Sequence, residues 1–442
     1  MPGVKTAIVG GGISGLSTAY YLSKKGQPAT IVESRPRLGG VIQTDRVHGC
    51  TLEAGPDSFL SAKPAALELI RELGLADDVI GSNDHLRVTF VRRNGRLVPL
   101  PDGLMMMVPT KILPLVTTPL LSWGTKMRMG MELLRAPKMR AEDESVADFI
   151  REHYGQEAVD YLAEPLLSGI YGGDPTQLSV RAVLPRFVEL SQKYGSLTKG
   201  VLASRGKAPS SGPLFRTLKG GLGALVDAVV AAARPEVVQS RVEAVERTAT
   251  GFRLRIAGDW LEAGNLVLAC EAHSAARLLS SIDPRSAELL NSVGYSSSTI
   301  VAFGFDAADF ARPPVGFGFL VPKKERRRLV ALTWVGTKFS YRVPEGQIVA
   351  RCFVAGSDDA NVLDEVLRDL RDIAGVTAVP RFTQITRWPK SMAQYLVGHP
   401  TRMKELRERI AQIPNLRLAG NAYDGIGIPD CIRLGKVAAE SL

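Results

Sequence analysis

The sequence has few of the residues from which metal sites, disulfide frameworks and membrane spans are built. Its 442 residues include four cysteines, none in a Cys-x-x-Cys pair, and five scattered histidines. This spacing argues against a zinc site and a disulfide framework, and it favours a reducing compartment. No run reaches the roughly 18 apolar residues of a membrane-spanning helix. Val4–Val9 is too short for the apolar part of a signal peptide. A cytoplasmic protein is therefore expected.

The sequence also lacks a recognisable nucleophile. No Gly-x-Ser-x-Gly elbow, paired metal ligands or nucleophile–base arrangement is visible. A bound cofactor that performs the chemistry would account for this. The length predicts two or three domains.

Positive charge is in excess, with 55 basic against 45 acidic residues and a net charge of +10. The excess is spread along the chain, and its densest cluster, residues 323–328, has the pattern of a solvated turn after an apolar run. Nucleic acid is therefore not expected as a partner. An anionic membrane surface or a substrate with several carboxylates fits the charge better.

The most informative stretch is residues 4–44, where an apolar strand leads into a glycine-rich turn and a helix. In this context the pattern Gly-x-Gly-x-x-Gly predicts a dinucleotide site. Gly10 allows the tight turn, Gly12 lets the backbone approach a pyrophosphate, and Gly15 lets the helix pack on the strand. N–H groups at the start of the helix favour the phosphates. Glu33, which ends the second strand, can accept hydrogen bonds from both ribose hydroxyls.

A second glycine pair follows this acidic residue. Arg37, Gly39 and Gly40 would bring a cation and bare backbone to the pyrophosphate. The stretch 9–44 resembles the extended signature of FAD-binding oxidases of the amine oxidase and protoporphyrinogen oxidase class, whereas nicotinamide dehydrogenases usually lack this tail. The resemblance implies FAD as the cofactor. Without a second nucleotide fingerprint for NADPH, an oxidase that uses molecular oxygen is favoured.

The alternation of apolar patterns predicts an α/β fold: an FAD-binding Rossmann-like domain, an antiparallel-sheet substrate domain and a helical insertion. The predicted FAD-binding domain is discontinuous, over 1–80, 205–285 and 400–442. The predicted substrate domain covers 81–100 and 286–399, and the helical domain covers 101–204. Asn94-Gly95 predicts a hairpin turn, and the Gly/Ser/Pro-rich stretch 201–213 predicts a mobile linker.

The segment 104–140 is basic and rich in methionine and leucine. It contains seven of the ten methionines and six basic residues beside a single acid, Glu132. Pro109, Pro114 and Pro119 prevent one long helix. The segment could lie on a membrane surface, line a broad apolar pocket or form an ordinary helical core. The sequence leaves these alternatives open.

Further motifs are spread over the whole chain, at residues 53–59, 164–174, 177–179, 316–322, 388–399 and 420–431. Together with residues 10–40 they resemble the protoporphyrinogen/coproporphyrinogen oxidase family. Residues 164–179 are specific to this family and have no counterpart in the amine oxidases. Ala393 is a departure, because relatives usually have proline before the following Gln-Tyr.

The resemblance implies the six-electron oxidation of a porphyrinogen to a porphyrin in haem biosynthesis, with three oxygen molecules reduced to hydrogen peroxide. Each step would take a hydride from a bridging carbon to the flavin while a pyrrole nitrogen loses a proton, so no strong protein base is required. No catalytic residue and no metal is therefore expected.

Site residues follow from the resemblance position by position. It assigns cofactor contacts to Gly10, Gly11, Gly12, Ile13, Ser14, Gly15, Glu33, Arg37, Gly39, Gly40, Gly55, Pro56, Asp57, Ser58, Val242, Trp388, Gly420, Ile426, Gly427 and Ile428. It assigns a substrate propionate to Arg87 and the packing of the macrocycle to Phe317, Leu320 and Phe353. The alternative for Arg87 is an exposed arginine on a strand without a ligand. The alternative for Phe317 and Leu320 is ordinary burial in the core.

Coproporphyrinogen III, with four propionates, and protoporphyrinogen IX, with two, both stay open as substrates. Asp57 resembles the acidic residue that coproporphyrinogen-type relatives often carry, but one residue does not decide the specificity. Competing hypotheses are an amine oxidase, a carotenoid desaturase and a non-catalytic FAD-binding protein. The expected partners are the porphyrinogen and O2. Peripheral membrane contact through 104–140 and a homodimer also stay open.

Overall fold

The computed structural model describes residues 3–139, 142–204, 212–355 and 361–442. The chain divides into a first unit, formed by 1–81, 213–295 and 400–442, and a second unit, formed by 82–212 and 296–399. Arg140 and residues 205–211 of the predicted linker lie outside the described residues. The predicted helical and sheet parts both fall in the second unit, and their division into separate domains stays a prediction.

Strands and helices are numbered along the chain. The strands are β1 Val4–Val9, β2 Thr30–Glu33, β3 Thr44–Val47, β4 Cys50–Glu53, β5 Phe59–Leu60, β6 Val79–Gly81, β7 Thr89–Arg93, β8 Arg96–Pro99, β9 Leu104–Met105, β10 Val108–Pro109, β11 Phe215–Leu218, β12 Glu236–Gln239, β13 Val242–Arg247, β14 Phe252–Ile256, β15 Asp259–Leu268, β16 Gly294–Asp306, β17 Gly318–Leu320, β18 Leu329–Trp334, β19 Gln347–Val354, β20 Phe382–Gln394 and β21 Leu416–Leu418. The helices are α1 Ile13–Lys24, α2 Ala65–Glu72, α3 Ile112–Thr117, α4 Trp123–Met131, α5 Val146–Tyr154, α6 Gln156–Ala158, α7 Glu164–Tyr171, α8 Val180–Val183, α9 Pro185–Tyr194, α10 Leu197–Ser204, α11 Gly223–Ala233, α12 Ala272–Leu279, α13 Pro284–Asn291, α14 Val335–Lys338, α15 Val362–Ala374, α16 His399–Ala411 and α17 Ile428–Glu440.

The first unit is organised around a sheet with the order β12-β2-β1-β15-β14-β13, and β21 pairs with β15. β12, β2, β1, β15 and β21 are parallel, whereas β13, β14 and β15 pair antiparallel. Strands β1 and β2 read as apolar runs because they are buried on both faces. The register places Val9 beside Val32 and Leu268, so the loops after these strands leave the sheet at one edge. Ligands of such sheets bind at this carboxyl edge.

Helices α1 and α17 pack against each other in the core of the first unit, which includes Leu16 and Ile432. Their approach is close because Gly435 has no side chain: a Cβ there would lie 2.4 Å from the carbonyl oxygen of Ser14. The Thr18 hydroxyl donates to the Gly435 carbonyl at 3.2 Å. This contact fixes the C-terminal helix against the helix that follows the first glycine-rich turn.

The second unit contains a sheet with the order β20-β16-β19-β18-β17-β7-β8. β16, β19, β18 and β17 pair antiparallel, as do β7 and β8, whereas β17 and β7 pair parallel. The two units together confirm the predicted α/β fold with an antiparallel-sheet part. One face of this second sheet, with Phe303, Phe319 and Leu332, packs on α15 in a common core. Leu320 and Phe353 lie on the opposite face because side chains alternate along a strand.

Helices α3 to α10 belong to the second unit, and residues of α5 and of the start of α10 meet at the buried side chain of Glu132. Its carboxylate lies 2.8 Å from His153 Nδ1 and accepts hydrogen bonds from Ser196 Oγ at 2.6 Å and from the Leu197 N–H at 2.5 Å. His153 Nε2 lies 3.0 Å from the Ser191 hydroxyl. Burial raises the pKa of Glu132, but these hydrogen bonds outweigh it and hold the pKa below its ordinary value.

The methionine-rich segment forms short elements rather than one long helix. In α4, Thr125 and Met129 are buried, whereas Trp123, Met127 and Met131 are exposed. The exposed residues recur every fourth position and therefore share one side of the helix. Across the described part of the chain, every helix is too short or too polar to cross a bilayer.

We expect the substitution Glu132→Gln to lower the free energy of unfolding by about 2–4 kcal/mol at pH 7, because it removes a buried charge on which several donors converge. The difference should shrink in acid. The folded-state pKa is below that of the unfolded chain, so the stabilisation is present above the unfolded value and lost as pH falls through the folded one.

Urea unfolding followed by circular dichroism at several pH values measures this. Glu288→Gln, which alters an exposed carboxylate paired with Arg285, is the matched control and should change stability by less than about 0.5 kcal/mol. Equal losses in the two variants, or a loss for Glu132→Gln that does not depend on pH, would contradict this account.

Candidate functional site

The first glycine-rich turn starts directly after β1 at the carboxyl edge of the sheet. Gly10 has a φ of 109°, and a Cβ there would lie 2.8 Å from the carbonyl of Ala269. A Cβ on Gly15 would lie 2.0 Å from the carbonyl oxygen of Gly10. Gly12 differs, because the only atom within 4 Å of its ideal Cβ position is Gly40 Cα, at 3.9 Å. Packing therefore requires Gly10 and Gly15, whereas Gly12 keeps a space open.

This open space lies at the start of α1. Gly12 precedes the helix and has no side chain to cap it, and the first turn contains no acidic residue. The first N–H groups of a helix lack partners within the helix and favour an anion. The space and the donors fit a pyrophosphate, with Ile13 and Ser14 as the first residues of the helix.

Glu33 ends β2 at the same edge and is 8% exposed. Its carboxylate accepts hydrogen bonds from the Gly11 N–H at 2.6 Å and from the Arg35 N–H at 2.8 Å, with a long contact of 3.5 Å from Ser34 Oγ. A carboxylate has about four acceptor positions, so capacity is left for ribose hydroxyls. The same side chain thus orders the turn and fits the predicted ribose contact.

The Arg37 guanidinium donates to three backbone carbonyls, those of Leu38 at 3.1 Å, Ile42 at 3.0 Å and Gly40 at 2.6 Å. Burial and the charge of Arg35 lower the pKa of Arg37. These bonds fold the loop so that Gly39 donates its N–H to the Gly11 carbonyl at 2.8 Å. The structure therefore gives Arg37 a role in shaping the loop, and its predicted contact with the pyrophosphate stays a prediction.

The loop Gly55–Ser58 follows β4. A Cβ on Gly55 would lie 1.8 Å from the Val41 carbonyl oxygen, so only glycine fits. Pro56, Asp57 and Ser58 are half-buried, and the Ser58 hydroxyl donates to Asp57 Oδ1 at 2.7 Å. The buried Glu53 before this loop accepts from the Leu222 N–H at 2.8 Å, which ties the loop to α11. Glu53 is a residue that the sequence-based assignment missed.

The C-terminal turn lies between β21 and α17, and its residues Gly420, Ile426 and Gly427 stand at the edge where β21 ends. Gly420 has a φ of 145°. Asp430 accepts from the Gly427 N–H at 3.2 Å and from Lys63 Nζ at 2.6 Å.

Asp430 and Lys63 fix the start of α17 and were also missed, although an acidic residue in the first turn of a helix is a visible capping signal. Ile428 is buried at the first position of this helix, and Val242 is buried at the start of β13.

The predicted substrate residues all fall on the sheet of the second unit or beside it. The Phe317 N–H donates to the Val88 carbonyl at 2.8 Å, which brings the strand after Arg87 next to Phe317. Leu320 pairs with Ala331, and Ala331 pairs with Phe353, so Leu320 and Phe353 share one row and one face of the sheet.

Arg87 is exposed, Phe317 is buried, and Leu320 and Phe353 are half-buried. Trp388 is buried on β20, next to β16.

Arginines of the β7–β8 hairpin differ in their engagement. Arg92 lies 3.9 Å from Glu325, and Arg93 pairs with Glu157 at 2.7 Å. Arg96 is exposed, as Arg87 is. Arg96 in the hairpin and Arg87 just before it are therefore more exposed than Arg92 and Arg93.

Thiol and metal chemistry receive no support from the described residues. Burial raises the pKa of Cys270, just after β15, to about 12, and that of Cys431 in α17 to about 11, so both stay protonated near neutral pH. In the described ranges no group of three or more His, Cys, Asp or Glu side chains is arranged to hold a metal ion.

Known proteins match this chain over nearly its full length. A family model for flavin containing amine oxidoreductases matches residues 13–442. Coproporphyrinogen III oxidase of Bacillus subtilis (strain 168) is 35% identical, over 98% of this chain and 96% of that protein. A crystal structure from Exiguobacterium sp. 255-15, provisionally assigned as a protoporphyrinogen oxidase, is 32% identical with a TM-score of 0.89, over 99% of this chain and 98% of that one. Cyclohexylamine oxidase from Brevibacterium oxydans IH-35A is 15% identical with a TM-score of 0.72, over 100% and 98% of the chains, and shares the fold.

We expect Gly12→Ala to abolish or strongly weaken FAD binding while the protein still folds, because the added methyl group meets no protein atom closer than 3.9 Å and occupies the open space. A pyrophosphate displaced by this methyl group would lose a hydrogen bond from the N–H groups that start α1. Loss of one hydrogen bond to a charged group lowers affinity roughly ten- to hundredfold. Titration of apoprotein with FAD, followed by quenching of flavin fluorescence, measures it.

Gly124→Ala is the matched control, because its Cβ also meets nothing within 4 Å but lies in α4 of the second unit. It should bind FAD as the wild type does. If Gly12→Ala binds FAD as tightly as the control, the pyrophosphate does not approach this position.

Proposed function

The chain belongs to the flavin-containing amine oxidoreductases and, within them, to the protoporphyrinogen/coproporphyrinogen oxidase family, and we propose that it oxidises coproporphyrinogen III to coproporphyrin III with O2 as acceptor. FAD is its cofactor. The observation that carries the proposal is the 35% identity to a coproporphyrinogen III oxidase over 98% of this chain. That length includes both the glycine-rich edge of the first unit and the sheet that bears Arg87, Leu320 and Phe353.

The residues of the first unit bind and orient the cofactor in this proposal. The open space at Gly12 and the N–H groups that start α1 hold the pyrophosphate, and Glu33 holds the ribose. Arg37 keeps Gly39 and Gly40 close to Gly12 by holding three carbonyls. Bound FAD would supply the acceptor for the one hydride that leaves a bridging carbon in each of the three two-electron steps. The protein therefore contributes position and electrostatics.

The residues of the second unit recognise the substrate in this proposal. Leu320 and Phe353 share one face and present apolar surface to a flat macrocycle, with the small side chain of Ala331 between them. Arg87 is an exposed cation beside the same sheet and would pair with a propionate. A pyrrole N–H becomes more acidic as conjugation grows. The proposed reaction therefore requires no strong protein base to remove this proton.

Anaerobic mixing of the yellow protein with coproporphyrinogen III and, separately, protoporphyrinogen IX tests the proposal. We expect the flavin absorbance to bleach faster with coproporphyrinogen III. On admission of air, porphyrin fluorescence and hydrogen peroxide should rise together, which a peroxidase-coupled assay measures. A flavin that stays oxidised with both substrates would refute the proposal, and faster bleaching by protoporphyrinogen IX would assign the other substrate.

Arg87→Ala sharpens the test of specificity. It should raise the KM for coproporphyrinogen III by about tenfold, because a charge-assisted hydrogen bond is lost. Arg96→Ala removes another exposed arginine, from the hairpin that follows Arg87, and should leave the KM within about twofold.

A specific observation also favours contact with a membrane surface. In the methionine-rich segment 104–140, seven large apolar side chains are 59–83% exposed: Ile112, Leu113, Trp123, Met127, Met131, Leu134 and Met139. Elsewhere in the described ranges only Val315, Tyr341 and Val379 reach that exposure. Glu132, the only acid of 104–140, is buried, so every exposed charge among the described residues of this segment is basic.

Apolar side chains flanked by cations suit the surface of an anionic bilayer. Lys126 lies over the ring of Trp123, with its Nζ 4.7 Å from the ring centroid, and tryptophan prefers the level of the lipid headgroups. We therefore propose that the segment 104–139 attaches the enzyme peripherally to the inner face of an anionic membrane.

Co-sedimentation with vesicles tests this attachment. Vesicles that contain phosphatidylglycerol should retain the protein, vesicles of phosphatidylcholine alone should retain it less, and the difference should shrink as salt screens the charges. Met127→Ser together with Met131→Ser should weaken retention by about tenfold, because apolar area is lost. Val379→Ser, a change at a residue outside the segment that is even more exposed than Met127 and Met131, should have no effect. Retention by neither type of vesicle would refute the attachment, as would self-association that buries the same side chains.

A further inference from the structure

Residues 164–174, the stretch that distinguishes this family in the sequence, lie in the second unit. They begin with α7, which continues from α6 through a π-helical turn at Val159–Ala163. Pro165 explains the wide turn, because proline has no N–H and its ring would meet the carbonyl four residues earlier in a regular helix. The helix is therefore built to carry this proline at a defined place.

The first residue of α7 is held by the loop that follows β17. Glu164 Oε2 accepts a hydrogen bond from the Lys323 N–H at 2.8 Å, and Glu164 Oε1 accepts one from the Arg326 guanidinium at 2.8 Å. The side chains of Glu164 and Arg326 are only 11% and 13% exposed. Arg326 also donates to the Val321 carbonyl at 2.9 Å and to the Ser168 hydroxyl at 3.2 Å. We call Glu164, Ser168, Lys323 and Arg326 the Glu164 clamp.

The clamp acts next to Leu320, the last residue of β17. A Cβ on Gly169 would lie 3.2 Å from Leu320 Cδ2, so the backbone of α7 passes directly over this side chain. Leu320 belongs to the face of the sheet opposite the α15 core, because its neighbour Phe319 is part of that core. The position of α7 therefore limits where the Leu320 side chain can lie.

The far end of the same stretch is attached differently. Asp174 pairs with Lys323 Nζ at 2.9 Å, with side chains 31% and 71% exposed. Exposed ion pairs contribute little to stability, whereas a largely buried carboxylate that accepts a backbone N–H and a guanidinium, as Glu164 does, contributes more. The stretch 164–174 is thus attached to the loop after β17 weakly through Asp174 and strongly through Glu164.

We propose that Glu164 is a positioning residue for the substrate: through the clamp it holds α7 over Leu320 and so sets the wall on which the macrocycle packs. The inference rests on the proposed function in that Leu320 is taken to contact the porphyrinogen. It assigns a role to the family-specific stretch that neither the cofactor nor the chemistry accounts for.

Steady-state kinetics of the FAD-loaded enzyme with the porphyrinogen that bleaches the wild type faster test the proposal. Glu164→Gln should raise KM by about tenfold, the effect of a lost charge-assisted hydrogen bond, with kcat within about twofold. Asp174→Asn, the matched control in the same stretch, should leave both within about twofold. Gly169→Ala should also raise KM, although alanine favours the helix, because its methyl group displaces Leu320.

A double-mutant cycle separates positioning from a general effect on the fold. If Glu164 acts through Leu320, Glu164→Gln should raise KM much less in a Leu320→Ala background than in the wild type. Hydrogen exchange of the amides of 164–171 and 321–326 should accelerate in Glu164→Gln and not in Asp174→Asn. Flavin absorbance should be unchanged in all variants.

Each failure has its own signature. Faster exchange in Glu164→Gln with an unchanged KM would overturn the positioning role, as would additive effects in the cycle. A loss of bound FAD or a fall in kcat alone would assign Glu164 to general stability instead. Failure of the proposed function shows already in the wild type, whose flavin would stay oxidised with both porphyrinogens.

Discussion

Within each of the two units, buried carboxylates that accept backbone N–H groups hold separate segments of the chain to one another. Glu33 binds the N–H of Gly11 before α1, and Glu53 binds that of Leu222 before α11. In the second unit, Glu132 binds the N–H of Leu197 at the start of α10, and Glu164 binds that of Lys323 at the start of a short 3-10 turn. Each donor lies at or next to the start of a helical segment, where N–H groups lack partners and the helix dipole favours a negative charge. A buried carboxylate needs such donors, because without them it would lose its solvation uncompensated.

In the first unit this constraint coincides with the close approach of backbones at the carboxyl edge of the sheet. Gly10 and Gly15 allow the turn and the helix to touch, and the bond from Gly11 to Glu33 locks the turn to the next strand. Gly12 is the exception that keeps a space open. The cradle is therefore rigid around one opening, which is the arrangement that a pyrophosphate requires.

In the second unit the sheet has two different faces. One face packs with α15 in an apolar core. The other face carries Phe353 and Leu320, and Leu320 lies under α7. Burial of Glu132 removes the single negative charge of a segment whose remaining charges are basic, and the apolar side chains around α4 are left exposed. The proposed binding of a flat polycarboxylate and the proposed attachment to an anionic surface both rest on which charges are neutralised inside the unit and which are left outside.

The sequence by itself determined the elements that depend on neighbours along the chain. The strand, glycine-rich turn and helix of residues 4–24 follow from local sterics, and Asn94-Gly95 formed the predicted hairpin with both residues at positive φ. Only the tertiary structure decided which partners the long polar side chains take. Arg37 holds three carbonyls, Arg92 and Arg93 meet Glu325 and Glu157, and Glu164 receives the N–H of Lys323. Glutamate and arginine reach several ångströms in any direction, so their contacts depend on segments far away in sequence, whereas the conformation of a glycine turn is set by the backbone itself.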